Sequence, residues 1–246
     1  MKLLRYEVPY FVPYQEVDFT GKWKMSEMFN VFSNVATSHA ELLGVWKKEY
    51  INQYGWVLAK MHVDILSPIT FEQNITIQTW PGEPSRATFP RYYAINNAQG
   101  ERVVNACGIW TLLDLVKRRI AIPSRVGMDY PKEVDPEVNS VMPQVSEFND
   151  YHKVMERKVC YSDLDTNQHM NNTRYIQWAF DLLDIEKFKE GYICSLDIFY
   201  KKEAQSGTVI DLYTGIDDEF FYVLGKDDEN ECFSLKGKWK TLSKED

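Results

Sequence analysis

Long apolar runs are missing from this sequence. No window approaches the roughly 18 uninterrupted apolar residues of a membrane span, and the opening MKLLRYEVPYF holds none long enough for a secretory signal. Both absences lead us to expect a cytoplasmic protein that does not insert into a membrane. Cysteine is scarce as well. Residues 107, 160, 194 and 232 form no C-x-x-C pair and are too spread for a disulfide framework, so they read as reduced core thiols. In that compartment the N-x-[ST] sequons at Asn74 and Asn171 carry no weight. Positive charge is in deficit too, with 28 Lys and Arg against 36 Asp and Glu for a net charge of −8. Only a local basic patch could offset repulsion from phosphate, which excludes a general nucleic-acid binder. What remains is ordinary globular material: 246 residues, 44% hydrophobic and 26% charged, enough for one large domain or two smaller ones.

Residues 122–150 hold four of the ten prolines, at 123, 131, 136 and 143, and lack sustained periodicity, so a linker is expected over 126–150. The segments on either side, 1–125 and 151–246, share one order: short strand, loop, amphipathic helix, several strands. In the first, Met25, Met28, Phe32, Val35, Ala36, Leu42 and Leu43 recur at helical spacing, with Gly44 as a left-handed stop. In the second, Tyr175, Ile176, Ala179, Phe180 and Leu183 do the same. Matching EQNITIQTW to SGTVIDLYT gives an offset of 134 between the halves. One long helix wrapped by antiparallel strands, repeated once, is an α+β plan of tandem hot-dog domains. The 14% aromatic content suits such a core.

The most informative stretch is YSDLDTNQHMNNTRYIQWAFD, residues 161–181, between a strand and the second helix. Asp163, Asp165, Asn167 and His169 fall at every second position, and an extended segment would turn all four to one side. Unpaired N–H groups of Asn171 and Asn172 at the helix start make these residues oxyanion-hole candidates. Calcium fits badly, because an EF-hand loop needs Gly where Gln168 stands and Glu where Arg174 stands. Transition-metal binding also fits badly: His39, His62 and His152 show no ligand spacing to His169, and no metal is expected. Helix capping would explain one or two of these residues, not three and a histidine. The first half reads DFTGKWKM at the corresponding loop, so the fold itself does not demand Asn-x-His. Under the 134 offset Glu203 faces an apolar counterpart, Ile69.

At these residues the chain resembles the acyl-acyl carrier protein (acyl-ACP) thioesterases of plant plastids and their bacterial relatives. The likeness is close around SDLDTNQHMNNTRYIQW and extends to WVLAKMHV, to the stretch ending in KRR, and to YKKEA. It implies tandem hot-dog domains, with chain selection in the N-terminal one and chemistry in the C-terminal one. It also implies a catalytic set of Asp165, Asn167, His169 and Glu203. Many plant members carry a cysteine directly after that Glu; here Ala204 stands there, which argues against a thiol nucleophile. The implied reaction is hydrolysis of acyl-ACP to free fatty acid and holo-carrier, as in fatty acid biosynthesis. The enzyme needs no cofactor, since phosphopantetheine arrives on the carrier. Glu203 is the expected general base and His169 its partner. Asn167 would position His169 or polarise the carbonyl, and Asp165 would hold the network or attack directly.

The carrier is small and acidic, so an acidic enzyme needs local cations to dock it. Lys117, Arg118 and Arg119 form one cluster, and Arg86, Arg91, Lys201 and Lys202 are further candidates. Rival readings are an acyl-CoA thioesterase, another hot-dog enzyme such as a dehydratase, and a non-catalytic carrier-binding module. Duplication already supplies the paired unit, so both a monomer and a homodimer are compatible with the sequence.

Overall fold

The structure, a computed structural model, describes residues 4–144, 148–217 and 219–242. The first half runs β1 (Tyr6–Phe11), α1 (Met25–Leu42), β2 (Tyr54–Ile65), β3 (Asn74–Pro81), β4 (Phe89–Asn96), β5 (Arg102–Asp114) and β6 (Arg119–Ile120). The second runs β7 (His152–Lys158), α2 (Asn172–Phe180), α3 (Ile185–Glu190), β8 (Gly191–Tyr200), β9 (Val209–Asp217), β10 (Phe220–Asp227) and β11 (Asn230–Thr241). The sheet order is β1-β3-β4-β5-β2-β8-β11-β10-β9-β7, with β6 paired to β5. Each half therefore threads its strands identically, and β2 and β8 zip the halves into one continuous antiparallel sheet.

Buried Met28, Phe29, Phe32, Val35 and Ala36 put α1 on the concave side of that sheet, and Gly44 ends it at φ +73°, the stop its sequence announces. α2 is shorter than the expected single helix. Asn171 caps it by accepting from Thr173 N at 2.9 Å, and it ends at Phe180. Asp184 then starts α3 by accepting from Glu186 N, so Leu183 falls in the turn between helices. The Asp184 cap competes with helix continuation for the same backbone. One buried cluster contains Phe29 and Tyr93 from the first half and Trp178 and Phe233 from the second, so the halves share a core.

The offset between halves is 135 in the strand region, not 134. Val12 N donates to Gln73 O and Val159 N to Thr208 O, which makes Gln73 and Thr208 equivalent at a spacing of 135. Burial agrees: Ile75 and Ile77 point inward, as do Ile210 and Leu212. A one-residue slip would turn each strand's apolar set outward. The counterpart of Glu203 is therefore Pro68, and Ile69 matches Ala204. The same spacing makes His62 equivalent to Asp197, and these two are register partners between β2 and β8. The pseudo-twofold axis passes through that pair, whose side chains bond at 2.9 Å.

The described residues of the expected linker hold no helix or strand, and residues 145–147 lie outside the described residues. The segment is an anchored strap. Trp80 Nε1 donates to Glu137 O at 2.8 Å, Asn139 Nδ2 donates to Tyr93 O at 2.8 Å, and Arg5 pairs with Asp135 and Glu137. It covers a second apolar cluster on the convex face, where Cys107 meets Met142.

Candidate active site

The stretch 161–171 is not an extended strand. A single 3-10 turn over Tyr161–Asp163 leads into a tight hairpin, Leu164 bridging Met170, with Gln168 left-handed at φ +64°. This separates the four alternating side chains. Asp163 turns into the core, accepting from Cys160 N at 2.9 Å and Trp178 Nε1 at 3.3 Å. Asp165 closes the hairpin by accepting from Asn167 N at 2.8 Å and His169 N at 3.3 Å. Asn167 and His169 are left to face the neighbouring space, with the Asn167 amide 3.4 Å from Asp165 Oδ2.

Glu203 approaches from the loop after β8. Met170 N donates to Ala204 O at 2.8 Å, and Ala204 N donates to the Tyr175 hydroxyl at 3.1 Å. Burial raises the Tyr175 pKa, so this hydroxyl stays neutral. Pinned on both sides, Ala204 is buried at 2% exposure, and the side chain before it swings out to the imidazole. The result is a contact of 3.1 Å between His169 Nδ1 and Glu203 Oε2, 34 residues apart in sequence. A carboxylate on Nδ1 fixes the tautomer that leaves Nε2 with its lone pair.

Asn167, His169 and Glu203 border a cavity of about 1010 Å³ whose other walls come from the first half. Ala36, Thr37 and Ala40 of α1 face Trp56, Phe89 and Trp110 of the sheet across it, and Tyr130 of the strap closes one side. Most other buried residues of α1 and β2 belong to the shared core and not to this wall. The cavity's volume lies at the upper end of small-molecule pockets, and its walls mix aromatic and aliphatic side chains with polar ones.

The other candidates separate. The Asn171 N–H is spent on Asp163 O at 2.8 Å, so it is no oxyanion donor, while Asn172 N–H has no acceptor among the described residues. Lys117 pairs with Asp114, Lys201 with Glu231 and Lys202 with Asp227. Arg86, Arg118 and Arg119 are exposed and have no acidic partner among the described residues. Arg118 lies at the cavity rim beside exposed Leu115. Arg91 is no surface residue: its guanidinium points inward, to His39 and Thr79. Strand alternation from Phe89 and Tyr93, both buried, was the signal that placed it inside. Cys107 and Cys232 are buried, with thiols pushed up by burial to about 12 and about 11, whereas Cys160 is exposed, against the expectation of four core thiols. No group of three or more His, Cys, Asp or Glu is assembled as a metal site among the described residues.

Residues 4–132 match the acyl-ACP thioesterase N-terminal domain, and residues 146–240 match the acyl-ACP thioesterase C-terminal domain. A chloroplastic acyl-[acyl-carrier-protein] hydrolase of Cuphea viscosissima is 23% identical over 211 residues, 77% of this chain and 50% of the relative. The chloroplastic oleoyl-acyl carrier protein thioesterase 2 of Arabidopsis thaliana is 23% identical over 228 residues, 85% of this chain and 62% of the relative. The chain thus spans about half the length of the first curated relatives it matches. Among solved structures, an acyl-ACP thioesterase from Bacteroides thetaiotaomicron superposes with a TM-score of 0.81 at 22% identity, covering 96% of this chain and 98% of its own. The 12:0-ACP thioesterase from Umbellularia californica gives 0.84 at 19%, covering 98% and 96%. These likenesses establish the double hot-dog fold.

Proposed function

Because the chain belongs to the acyl-ACP thioesterase family, we propose that it hydrolyses the thioester of acyl-ACP, releasing a free fatty acid and the holo-carrier in fatty acid biosynthesis. The observation that carries this reading is the 3.1 Å His169–Glu203 contact at the edge of a cavity of about 1010 Å³ walled by the other half. Glu203 takes a proton from water as the oxygen attacks the thioester carbonyl, and His169 orients that carboxylate and shares the proton. The C–O bond forms, the C–S bond breaks, and the proton passes to the departing phosphopantetheine sulfur. The Asn167 amide and the Asn172 N–H are the donors offered to the developing oxyanion. Asp165 holds the hairpin that presents them.

The enzyme calls for no cofactor of its own, because the phosphopantetheine arm belongs to the carrier. A cytoplasmic setting is part of the same proposal, supported by four cysteines that are all free. One chain supplies both halves of the site, so a monomer suffices, and a homodimer would add nothing to the chemistry. Arg118 at the rim, with Arg86 and Arg119, forms the docking set for the acidic carrier; the paired Lys117, Lys201 and Lys202 contribute less.

Mass-spectrometric identification of the acids released from a mixed acyl-carrier pool tests the activity. Release of fatty acid faster from carrier than from the matching acyl-CoA is expected. Stoichiometric carrier binding without release would make the protein a binding module instead. Raising salt is expected to increase KM for the carrier substrate more than for a small acyl thioester, and equal salt dependence would dismiss electrostatic docking.

A further inference from the structure

The cavity that faces the His169–Glu203 pair is not uniformly apolar. Arg91 projects into it from β4, and Nη1 donates to His39 Nδ1 and to Thr79 Oγ1, both at 3.2 Å. Since a guanidinium can only donate, His39 Nδ1 is the acceptor and carries no proton. His39 and Thr79 are both fully buried. Neither acceptor is an anion, and no carboxylate lies within ion-pair distance of Arg91 among the described residues. Its Nε and Nη2 hydrogens have no acceptor among the described residues either. Burial pulls the Arg91 pKa down, yet an arginine keeps its proton. The side chain retains some accessible surface, and that surface faces the cavity.

A second observation points the same way. Like that of Trp110, another residue of the cavity wall, the Trp56 indole N–H is buried without a hydrogen-bond partner, and Trp56 lines the same cavity. Its ring packs edge-on against Phe89 at 5.0 Å, and Phe89 shares a strand face with Arg91. The guanidinium, with Nε and Nη2 unpaired, and two indoles with unpaired N–H groups thus belong to residues that border the space meant for a hydrocarbon. A methylene chain pressed against the guanidinium removes its remaining solvation and returns no bond. The placement is distal. The order β4-β5-β2-β8 puts Arg91 three strands, about 14 Å, from the strand that leads into Glu203.

We propose that Arg91 is a polar stop that sets acyl specificity. A plain chain must end short of the guanidinium, and a chain long enough to reach it is accepted when it carries an oxygen acceptor there. This assignment rests on the thioesterase reading and names the specificity residue of that same cavity.

The test is a ladder of saturated acyl-carrier substrates in two-carbon steps, with an ω-hydroxylated partner for each length. For the wild type, kcat/KM is expected to peak and then drop about tenfold or more at the first chain that reaches Arg91. The ω-hydroxylated chain of that length should recover at least about tenfold, the scale of a buried donor regaining its bond. Arg91→Met should move the peak to longer plain chains and abolish the hydroxyl preference. An unmoved peak, or a wild type indifferent to the hydroxyl, overturns the assignment. The wild-type arm needs no variant, so misfolding of Arg91→Met cannot shield the idea; Arg91→Gln provides a milder second variant. Calorimetric binding of the free acids keeps the two readings apart. Acids bound with the hydroxyl preference but no hydrolysis would fail the activity and spare Arg91, whereas hydrolysis with an unmoved peak would do the reverse.

Discussion

The two hairpins that precede α1 and α2 share one backbone device, closed by an Asp in each, and carry different side chains on it. In the first, Asp18 accepts from Thr20 N at 2.7 Å and Lys22 N at 3.2 Å; in the second, Asp165 accepts from Asn167 N and His169 N at 2.8 and 3.3 Å. Val17 bridges Trp23 as Leu164 bridges Met170. Trp23 N reaches Ile69 O as Met170 N reaches Ala204 O. The left-handed residue is Gly21 in one and Gln168 in the other. Against this shared backbone, Thr20 becomes Asn167, Lys22 becomes His169 and Pro68 becomes Glu203. Shared backbone bonds and the common Asp hold the hairpin; the exchanges to Asn167, His169 and Glu203 arm it. Asp165, present in both halves in the same role, belongs to the holding set.

The sharpest way to break that division is at Glu203, which is half-exposed and whose only ion pair is with His169 among the described residues. Its counterpart in the unarmed half has no charge at all, so the fold does not need the carboxylate. Glu203→Gln should lower kcat about 10²–10⁴-fold, the span of a lost general base, while the melting temperature and carrier affinity stay near wild type. Turnover within about threefold of wild type would take Glu203 out of the mechanism.

The halves also differ where they meet. Two-fold symmetry would place identical residues opposite each other on the axis, but His62 faces Asp197 there, and its other nitrogen lies 3.0 Å from Asp64. Burial works to lower the His62 pKa, but the bonds to Asp197 and Asp64 outweigh it and leave it raised to about 9. A raised folded pKa gives stability that is complete below the unfolded value near 6.5 and is lost as pH climbs through about 9. That swing is worth about 3 kcal/mol. Denaturant unfolding of wild type and His62→Gln should therefore show a gap that is wide at pH 6 and shrinks by about that amount by pH 10. A gap constant across this range would mean the seam is held by strand pairing alone.

How much of this was readable in advance follows from what kind of signal each feature leaves. The repeat, α1 and its Gly44 stop are written in local periodicity and were legible. So was the meeting of His169 with Glu203, through resemblance and not through spacing. The 134 offset failed against a signal the strands do carry: at 134 Ile77 meets Asp211, whereas at 135 Ile75 and Ile77 meet Ile210 and Leu212, the match the hydrogen-bond register also gives. The His62–Asp197 seam depended on that register and stayed hidden. The break between α2 and α3 was written in the sequence, as Asp184 ahead of IEKFKE, but the apolar Leu183 masked it. The strap's anchors, such as Trp80 to Glu137, join residues 57 apart and leave no local trace.

The smallest effect tests the holding set itself. Asp18→Asn and Asp165→Asn each keep the Oδ1 that receives the two backbone N–H groups, while removing the charge that strengthens those bonds. If the hairpins are one device, both substitutions cost similar stability, on the order of 1 kcal/mol. Asp165→Asn should then hold thioesterase turnover within about tenfold, with the loss traced to a looser His169. A carboxylate that attacked the thioester itself could not survive amidation, because an amide oxygen forms no mixed anhydride that water can clear. Rates measured for both variants at matched stability therefore decide between the two roles. A loss of about 10³-fold or more at Asp165, with Asp18→Asn silent, would move Asp165 from the backbone of the hairpin into the reaction and end the symmetry between the halves.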